Sequence, residues 1–306
     1  MSSLCGILPV DKPAGWTSFD VIAKLRGVLA TRKLGHSGTL DPMATGVLPV
    51  FVGMAAKAVD LQPDHDKAYR AEVRFGLATD TGDVTGTPVA AGENIPGAAA
   101  VKQALEAFLG PQMQTPPMYS AVKVSGVPLY KLARQGKTVE RAARPVTFYR
   151  LELVEQTAPD RFAIDIECSK GTYVRTLVED LGAALGCPAC LAALRRTRAG
   201  AFTLEGCVTL EAIQAAKEAG ELEKLLLAQG IAQVAIDLSS VEEVDSSGLG
   251  ALVCADTLGL SHGRRLILLS PSEPVQKLLR DVEIEGFFPA FNSEHELEGR
   301  IPDVLE

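Results

Sequence analysis

Gly35-His36-Ser37-Gly38-Thr39-Leu40-Asp41-Pro42-Met43-Ala44-Thr45-Gly46 is the stretch on which the reading of this chain turns. Its three glycines permit tight turns and the close approach of another backbone. A carboxylate followed by proline sits in the middle. Composition alone leaves two readings open: a turn in which Asp41 caps local backbone, or a loop that offers a carboxylate to a reactant.

Upstream, residues 5–10 read as a short apolar strand that ends in a Pro13/Gly15 turn. Thr17 with Asp20 three residues on forms a capping-box pattern, and Val21, Ile22, Leu25, Val28 and Leu29 supply the apolar stripe of a helix. Downstream, residues 68–75 alternate, with Tyr69, Ala71, Val73 and Phe75 on one face and Arg70, Glu72 and Arg74 on the other, a half-buried strand. Residues 98–109 place Val101, Leu105, Phe108 and Leu109 at helical spacing. Residues 161–168 alternate again, with Phe162, Ile164, Ile166 and Cys168 inward. A helix is predicted from about 172 to 185 on Val174, Leu177, Val178 and Leu181. Strands and helices interleave without regular βαβ spacing, which predicts an α+β layer architecture, a mixed sheet flanked by helices.

Composition changes near residue 205. Segment 211–228 reads as a Glu/Lys/Ala/Leu helix, followed by a buried strand at 234–238, a helix at 246–258, a strand at 265–269 and a helix at 273–281. The expected boundary lies near 228–231. Length agrees, since 306 residues favour two domains. The chain has no apolar run of the roughly 18 residues a membrane span requires. It opens on Met1-Ser2-Ser3-Leu4-Cys5, without a charged leader or apolar core, so a soluble cytoplasmic protein is the expectation. Cys5, Cys168, Cys187, Cys190, Cys207 and Cys254 are scattered through apolar segments, unlike a disulfide framework. Cys187-Pro-Ala-Cys190 lacks the second pair or nearby histidine that a zinc site needs, so it reads as structural and no metal is expected.

Net charge is −8, which argues against a nucleic-acid partner until the chain is divided. Residues 1–200 carry 23 Lys+Arg and 19 Asp+Glu, whereas 201–306 carry 7 and 19. The basic excess is densest in 101–150, with eight basic and two acidic residues. Such asymmetry between halves points to different partners.

The glycine-rich stretch closely resembles the catalytic loop of the TruB family of pseudouridine synthases, and the resemblance recurs in order along the chain. Lys12-Pro13 and Gly15 are similar to the family's N-terminal motif. Lys67-Ala68-Tyr69-Arg70 resembles the strand carrying its active-site tyrosine. Pro117-Met118-Tyr119-Ser120-Ala121-Val122-Lys123 with Leu129-Tyr130 resembles its central motif. Ser169-Lys170-Gly171-Thr172-Tyr173-Val174-Arg175 resembles the start of its catalytic helix, and Leu194-Arg195-Arg196 the motif after it. These motifs span about 210 residues.

The resemblance implies isomerisation of the T-loop uridine at tRNA position 55, on a pseudouridine synthase fold with a mainly antiparallel mixed sheet. No redox step is involved, so no cofactor is implied. Asp41 becomes the catalytic carboxylate, as nucleophile or as base. Arg175 becomes the guanidinium that keeps Asp41 ionised; its plain alternative is an i,i+4 pair with Glu179. Tyr69 becomes the residue that stacks on the flipped base, though an apolar strand face also makes it a core tyrosine. Tyr173 and Leu194 become pocket residues, and His36 an RNA contact. Lys123, Arg134, Lys137, Arg141 and Arg144 would meet phosphates of the tRNA T arm. The family commonly has histidine and tyrosine where this chain has Cys190 and Ala193, and its RNA-binding PUA domain is not found here, which should weaken tRNA affinity more than chemistry.

From about 231 the chain resembles a STAS domain, the fold of anti-sigma-factor antagonists. Val234 to Ser239 and Val244-Asp245-Ser246-Ser247-Gly248-Leu249-Gly250 carry this, with Gly263-Arg264-Arg265-Leu266 and Ser272 to Leu279 fitting the next strand and helix. The resemblance points to Ser246 as a phosphorylated serine at a helix N-terminus and to a protein partner for the tail; the plain alternative is a helix cap. The opening strands of such a domain are missing, so the expected organisation is a synthase domain over 1–228 and a partial STAS-like α/β segment over 229–306. Two rivals are a regulatory module carried on an inactive RNA-binding scaffold and a two-carboxylate glycosidase. The second suffers because no second carboxylate accompanies Asp41 in its loop. A monomer is expected.

Overall fold

The computed structural model describes residues 6–53, 56, 59, 65–124, 126–222, 225, 233–260, 265–293 and 295–297. Cys5, the boundary expected at 228–231 and the Gly263-Arg264 pair lie outside them. The chain divides into two compact units, Met1–Leu225 and Leu226–Glu306.

In the first unit the strands are β1 (Gly6–Lys12), β2 (Leu34–His36), β3 (Thr45–Val52), β4 (Lys67–Phe75), β5 (Leu77–Thr79), β6 (Pro88–Ala91), β7 (Gly110–Gln114), β8 (Lys123–Val124), β9 (Val127–Pro128), β10 (Arg144–Ala158), β11 (Arg161–Cys168), β12 (Ala189–Ala199), β13 (Phe202–Thr203) and β14 (Val208–Thr209). The helices are α1 (Ser18–Val28), α2 (Ala98–Glu106), α3 (Leu129–Ala133), α4 (Val174–Ala184) and α5 (Leu210–Glu218). One mixed sheet runs β14-β1-β3-β12-β4-β11-β10-β7, with β2 on β3 and β13 on β12. β1 with β14 and β12 with β3 are parallel; the remaining pairs of this sheet are antiparallel.

The period-two pattern of β4 and β11 builds the core. Tyr69, Ala71, Val73 and Phe75 face inward beside Phe162, Ile164, Ile166 and Cys168, and Phe75 meets Phe162 edge-on at 5.6 Å. Val101 and Leu105 of α2 and Val174, Leu177, Val178 and Leu181 of α4 join the same cluster. Burying each large apolar side chain contributes about 1.5–3 kcal/mol, and this cluster holds the sheet's centre rigid behind the candidate site. On the outer face, Arg70–Asp165, Arg74–Asp160 and Arg161–Glu72 pair across strands in contact with solvent, where each is worth at most about 1 kcal/mol.

Three expectations need correction. The 98–109 helix stops at Glu106, and Leu109 is 42% exposed just before Gly110 turns the chain with φ of +85°. The 211–228 helix is interrupted: α5 ends at Glu218 and Gly220 adopts φ of +72°, its amide bonding to the Lys217 carbonyl in a glycine C-cap. Loop 35–46 is shorter at both ends, because β2 claims Gly35 and His36 while β3 begins at Thr45. The capping box of α1 is present, with Thr17 and Asp20 bonded reciprocally.

The second unit carries β15 (Gln233–Asp237), α6 (Ser246–Leu260), β16 (Arg265–Leu269), α7 (Glu273–Asp281) and β17 (Ala290–Phe291), with the strands parallel in the order β15-β16-β17. Leu238, Leu249, Leu266, Leu268, Val275, Leu279 and Phe288 form its main cluster. Among the described residues no helix is long and apolar enough to cross a membrane.

Candidate active site

Asp41 lies in the segment between β2 and β3, and that segment is anchored along one side by the N-terminal turn. Lys12, with no exposed surface, ends β1 and donates from Nζ to the carbonyls of Pro13 (2.9 Å), Trp16 (2.6 Å) and Pro42 (3.2 Å). Gly15 N–H donates to the Pro42 carbonyl at 2.8 Å, and the Ser18 hydroxyl accepts from the Leu40 amide at 2.9 Å. Burial pushes the Lys12 ammonium down to about 8, and the nearby Asp41 charge opposes that fall. The residues immediately before and after Asp41 are thus tied to groups more than twenty residues away in sequence.

Arg175, at the second position of α4 and 4% exposed, reaches the carboxylate with two donors: Nε to Oδ2 at 2.8 Å and Nη2 to Oδ1 at 3.0 Å. Its remaining contacts are the Thr81 carbonyl from Nη1 (2.9 Å) and the Tyr119 carbonyl from Nη2 (2.8 Å). The guanidinium is turned to Asp41, and among the described residues it makes no ion pair with Glu179. Asp41 is 31% exposed. Burial raises its pKa above the ordinary aspartate value; the Arg175 charge and hydrogen bond pull it back, Asp83 pushes it up and Lys12 draws it down.

Asp83 is the hub of the turn that supplies the Thr81 carbonyl. Its Oδ1 accepts from the Thr85 amide (2.9 Å) and the Thr81 hydroxyl (3.1 Å), and Thr79 donates to its carbonyl (2.6 Å). Neither Asp83 nor Lys12 was singled out in the sequence as a functional side chain. A clue lay in Thr79 to Thr87, where threonine and aspartate alternate with glycine in a self-bonding turn.

Tyr69 and Leu194, each 7% exposed, pack in the cluster that contains Leu40 and Ala44 of the Asp41 segment, with Met43 against it. Burial pushes the Tyr69 phenol up to about 12, so it is protonated at neutral pH. Tyr173 is the N-cap residue of α4; its amide donates to Gln114 Oε1 (2.8 Å) and its carbonyl accepts from Gln114 Nε2 (3.0 Å). His36 ends β2 half-buried. Burial first, then the Arg196 charge, lowers its pKa and favours neutral imidazole. Among the sequence-predicted phosphate contacts, Lys123, Arg134, Lys137 and Arg144 are exposed, Arg134 lies over the Tyr130 ring at 5.5 Å, and Arg141 donates to the Pro116 carbonyl at 3.0 Å. Cys190 is fully buried and Ala193 is exposed at a register shift of β12. Ser246 belongs to the second unit, exposed at the start of α6, and the Asp245 carboxylate caps that helix by accepting from the Ser247 and Gly248 amides (3.0 and 2.9 Å). Among the described residues no group of three or more histidine, cysteine or acidic side chains is arranged to hold a metal ion.

Gly46 shows how tightly this segment is set. Its φ is +101°, and a Cβ there would overlap the Arg196 backbone, including its carbonyl oxygen, across the parallel β3–β12 pairing. Gly46→Ala should destabilise the protein by about 3 kcal/mol or more, combining backbone strain with a clash against unyielding main chain. Urea denaturation measures this, and a loss below about 1 kcal/mol would mean the approach is looser than described.

Residues 26–174 match the model of the TruB family pseudouridylate synthase N-terminal domain, and residues 175–231 match the tRNA pseudouridylate synthase B C-terminal domain. The chain belongs to the TruB family. It is 49% identical over 223 residues to the tRNA pseudouridine synthase B of Pseudomonas paraeruginosa, covering 73% of each chain. With the enzyme of the same name from Syntrophotalea carbinolica it shares 42% identity over 277 residues, 87% of this chain and 89% of that one. A solved H/ACA ribonucleoprotein, bound to a substrate RNA containing 2′-deoxyuridine, has a chain that superposes with a TM-score of 0.54 at 26% identity. The match covers 77% of this chain and 64% of that one. As a TruB member the chain is a tRNA pseudouridine synthase, an isomerase acting on uridine in tRNA.

Proposed function

We propose that the uridine isomerised is the T-loop uridine at tRNA position 55, with Asp41 as the catalytic carboxylate. The observation that carries the assignment is the two-pronged contact of the partly exposed Asp41 carboxylate with the buried Arg175. Isomerisation breaks the C1′–N1 bond, turns the uracil and forms C1′–C5; the C5 proton leaves for N1, so nothing is oxidised and no co-reactant is consumed. Asp41 acts at the sugar, as nucleophile or as base. Arg175 holds it ionised against burial and fixes both oxygens, leaving little rotational freedom to lose on the way to the transition state.

The target base leaves its stack before an atom of the sugar can be reached. Tyr69 and Leu194 receive it in this reading, and stacking on an aromatic ring contributes about 1–3 kcal/mol towards the cost of extrusion. His36, neutral and half-buried, contacts the RNA, and Tyr173 closes the pocket beside Arg175. The exposed Lys123, Arg134, Lys137 and Arg144 meet phosphates of the T arm. The enzyme works in the cytoplasm with tRNA. Mapping pseudouridine in an unmodified tRNA transcript tests this reading: product at position 55, absent when that residue is cytidine, is expected, and product elsewhere would overturn it. An inert transcript with folded protein would favour the inactive-scaffold rival.

For the carboxyl-terminal part we infer a second domain over 229–306 of STAS-like kind, beside a synthase domain over 1–228. Parallel β15-β16-β17 with α6 and α7 supports it, as does Ser246, exposed one residue after the capping Asp245. Phosphate at a helix N-terminus is electrostatically favourable, and it would repel an acidic partner surface. Ser246→Asp should weaken capture of that partner relative to Ser246→Ala; equal binding by both in a pull-down with purified partner counts against a phospho-switch.

A further inference from the structure

Arg196 heads the fully buried side chains by volume, at 0% exposure, and no carboxylate pairs with it among the described residues. It lies on β12 two residues after Leu194. Its Cα is in register with Tyr69 of β4 on one side and with Gly46 of β3 on the other. Nε donates to the Val47 carbonyl at 2.7 Å and Nη2 to the Gly38 carbonyl at 2.9 Å. One planar group therefore spans the two ends of the segment that carries Asp41.

Lys12, Gly15 and Ser18 grip Leu40 and Pro42 in the middle, while at the ends Ser37 N–H donates to the Pro49 carbonyl at 3.0 Å and Arg195 Nη1 to the Thr45 hydroxyl at 3.3 Å. Arg196 alone among these side chains bonds to both ends. Gly38 and Gly46 stand near the two ends, both at a positive φ that other residues rarely adopt. Gly38 is also closely fitted to the guanidinium, since a Cβ there would lie 3.1 Å from Arg196 Nη1. Desolvation lowers the Arg196 pKa, and Tyr69 is among the groups that offset this. A buried cation held by carbonyls is a poor way to gain stability, because desolvation cancels most of what the bonds return. Its geometry is a good way to fix two strands of backbone at one distance, since the guanidinium fork offers several donors in a rigid plane where an ammonium is a point charge.

We propose that Arg196 is a positioning residue for the isomerisation: it clamps both ends of the Asp41 segment against the strand that carries Tyr69, so that carboxylate and base-stacking ring keep a fixed separation. This rests on the catalytic reading of Asp41. A displacement of about 1 Å at a reacting group can cost about 100-fold in rate, which sets the size of the effect.

The full chain is compared with Arg196→Met, which keeps bulk without the fork, and Arg196→Lys, which keeps charge and can satisfy only part of it. Amide hydrogen exchange over residues 37–47, the single-turnover rate of pseudouridine formation on a tRNA transcript, and tRNA affinity are measured together. In Arg196→Met, loop protection should fall while β4 and β11 stay protected; the rate should fall about 100-fold with affinity within about threefold. Arg196→Lys should recover about tenfold of the lost rate. Should Arg196→Met fail to fold, Arg196→Lys decides alone, with partial loop release and a rate about tenfold below wild type. Unchanged loop protection overturns the clamp, as does a rate loss explained by weaker tRNA binding. Loop release with an undiminished rate also overturns the positioning role, whereas an Asp41→Asn variant as fast as the wild type would overturn the catalytic reading of Asp41, which separates the two.

Discussion

Asp41→Asn should form pseudouridine at least about 10³-fold more slowly than the wild type, with tRNA binding equal or slightly tighter. Asparagine keeps the shape of the side chain and offers Arg175 one oxygen. It lacks the charge and the second acceptor, and neither nucleophilic attack nor proton removal is open to a neutral amide. Folding should survive, because the Arg175 guanidinium retains the carbonyls of Thr81 and Tyr119. Removing a negative charge beside a polyanion should not weaken the complex. Single-turnover kinetics with saturating enzyme separate the two quantities. A variant within tenfold of the wild-type rate would remove Asp41 from the chemistry.

Arg175→Met should lose about 10²- to 10³-fold in rate and acquire a pH dependence the wild type shows only at lower pH. Burial already raises the Asp41 pKa, and Arg175 is the strongest influence pulling it down. Without the guanidinium, burial and the Asp83 charge act with only Lys12 opposing, so the folded-state pKa moves further up. In the proposed chemistry ionised Asp41 is the active form, so the acid limb of the rate profile should shift to higher pH and part of the loss return as pH rises. Arg175→Lys keeps the charge but cannot hold both oxygens, and should fall between. A rate loss that is the same at every pH from about 5 to 9 would mean Arg175 acts through geometry alone.

Several elements were legible from sequence to the residue, while the helix expected at about 172–185 runs Val174–Ala184 and the one expected at 246–258 runs on to Leu260. β11 spans the predicted 161–168, β16 the predicted 265–269 and α7 the predicted 273–281. Elements that escaped notice violate the patterns such reading uses. β3 is a continuous apolar run with Pro49 inside it, and Pro9 of β1 stands opposite. β10 has register shifts that break its alternation, and a mostly exposed half that looks like loop. The site divides in the same way. Asp41 and Arg175 lie 134 residues apart, and no local pattern joins them; the ordered family motifs did. Lys12 and Arg196 were quoted within those motifs without a role, because a basic residue reads as surface until its burial is seen. Ending α5 at Glu218 was legible in principle, since Gly220 marks the stop.

The pairing of β1 with β14 brings Val10 beside Val208, so the first and last strands of the main sheet are neighbours although all its other strands lie between them in sequence. On the ribosome this delays competence. A nascent chain that has emerged as far as β11 holds Asp41 and Tyr69 but neither Arg175 nor Arg196, and the sheet lacks the strand that separates β3 from β4. Long-range closure of this kind is slow and comes after local structure. The isomerase is therefore expected to gain its activity in one late step, once β12 inserts, rather than by degrees as the polypeptide lengthens.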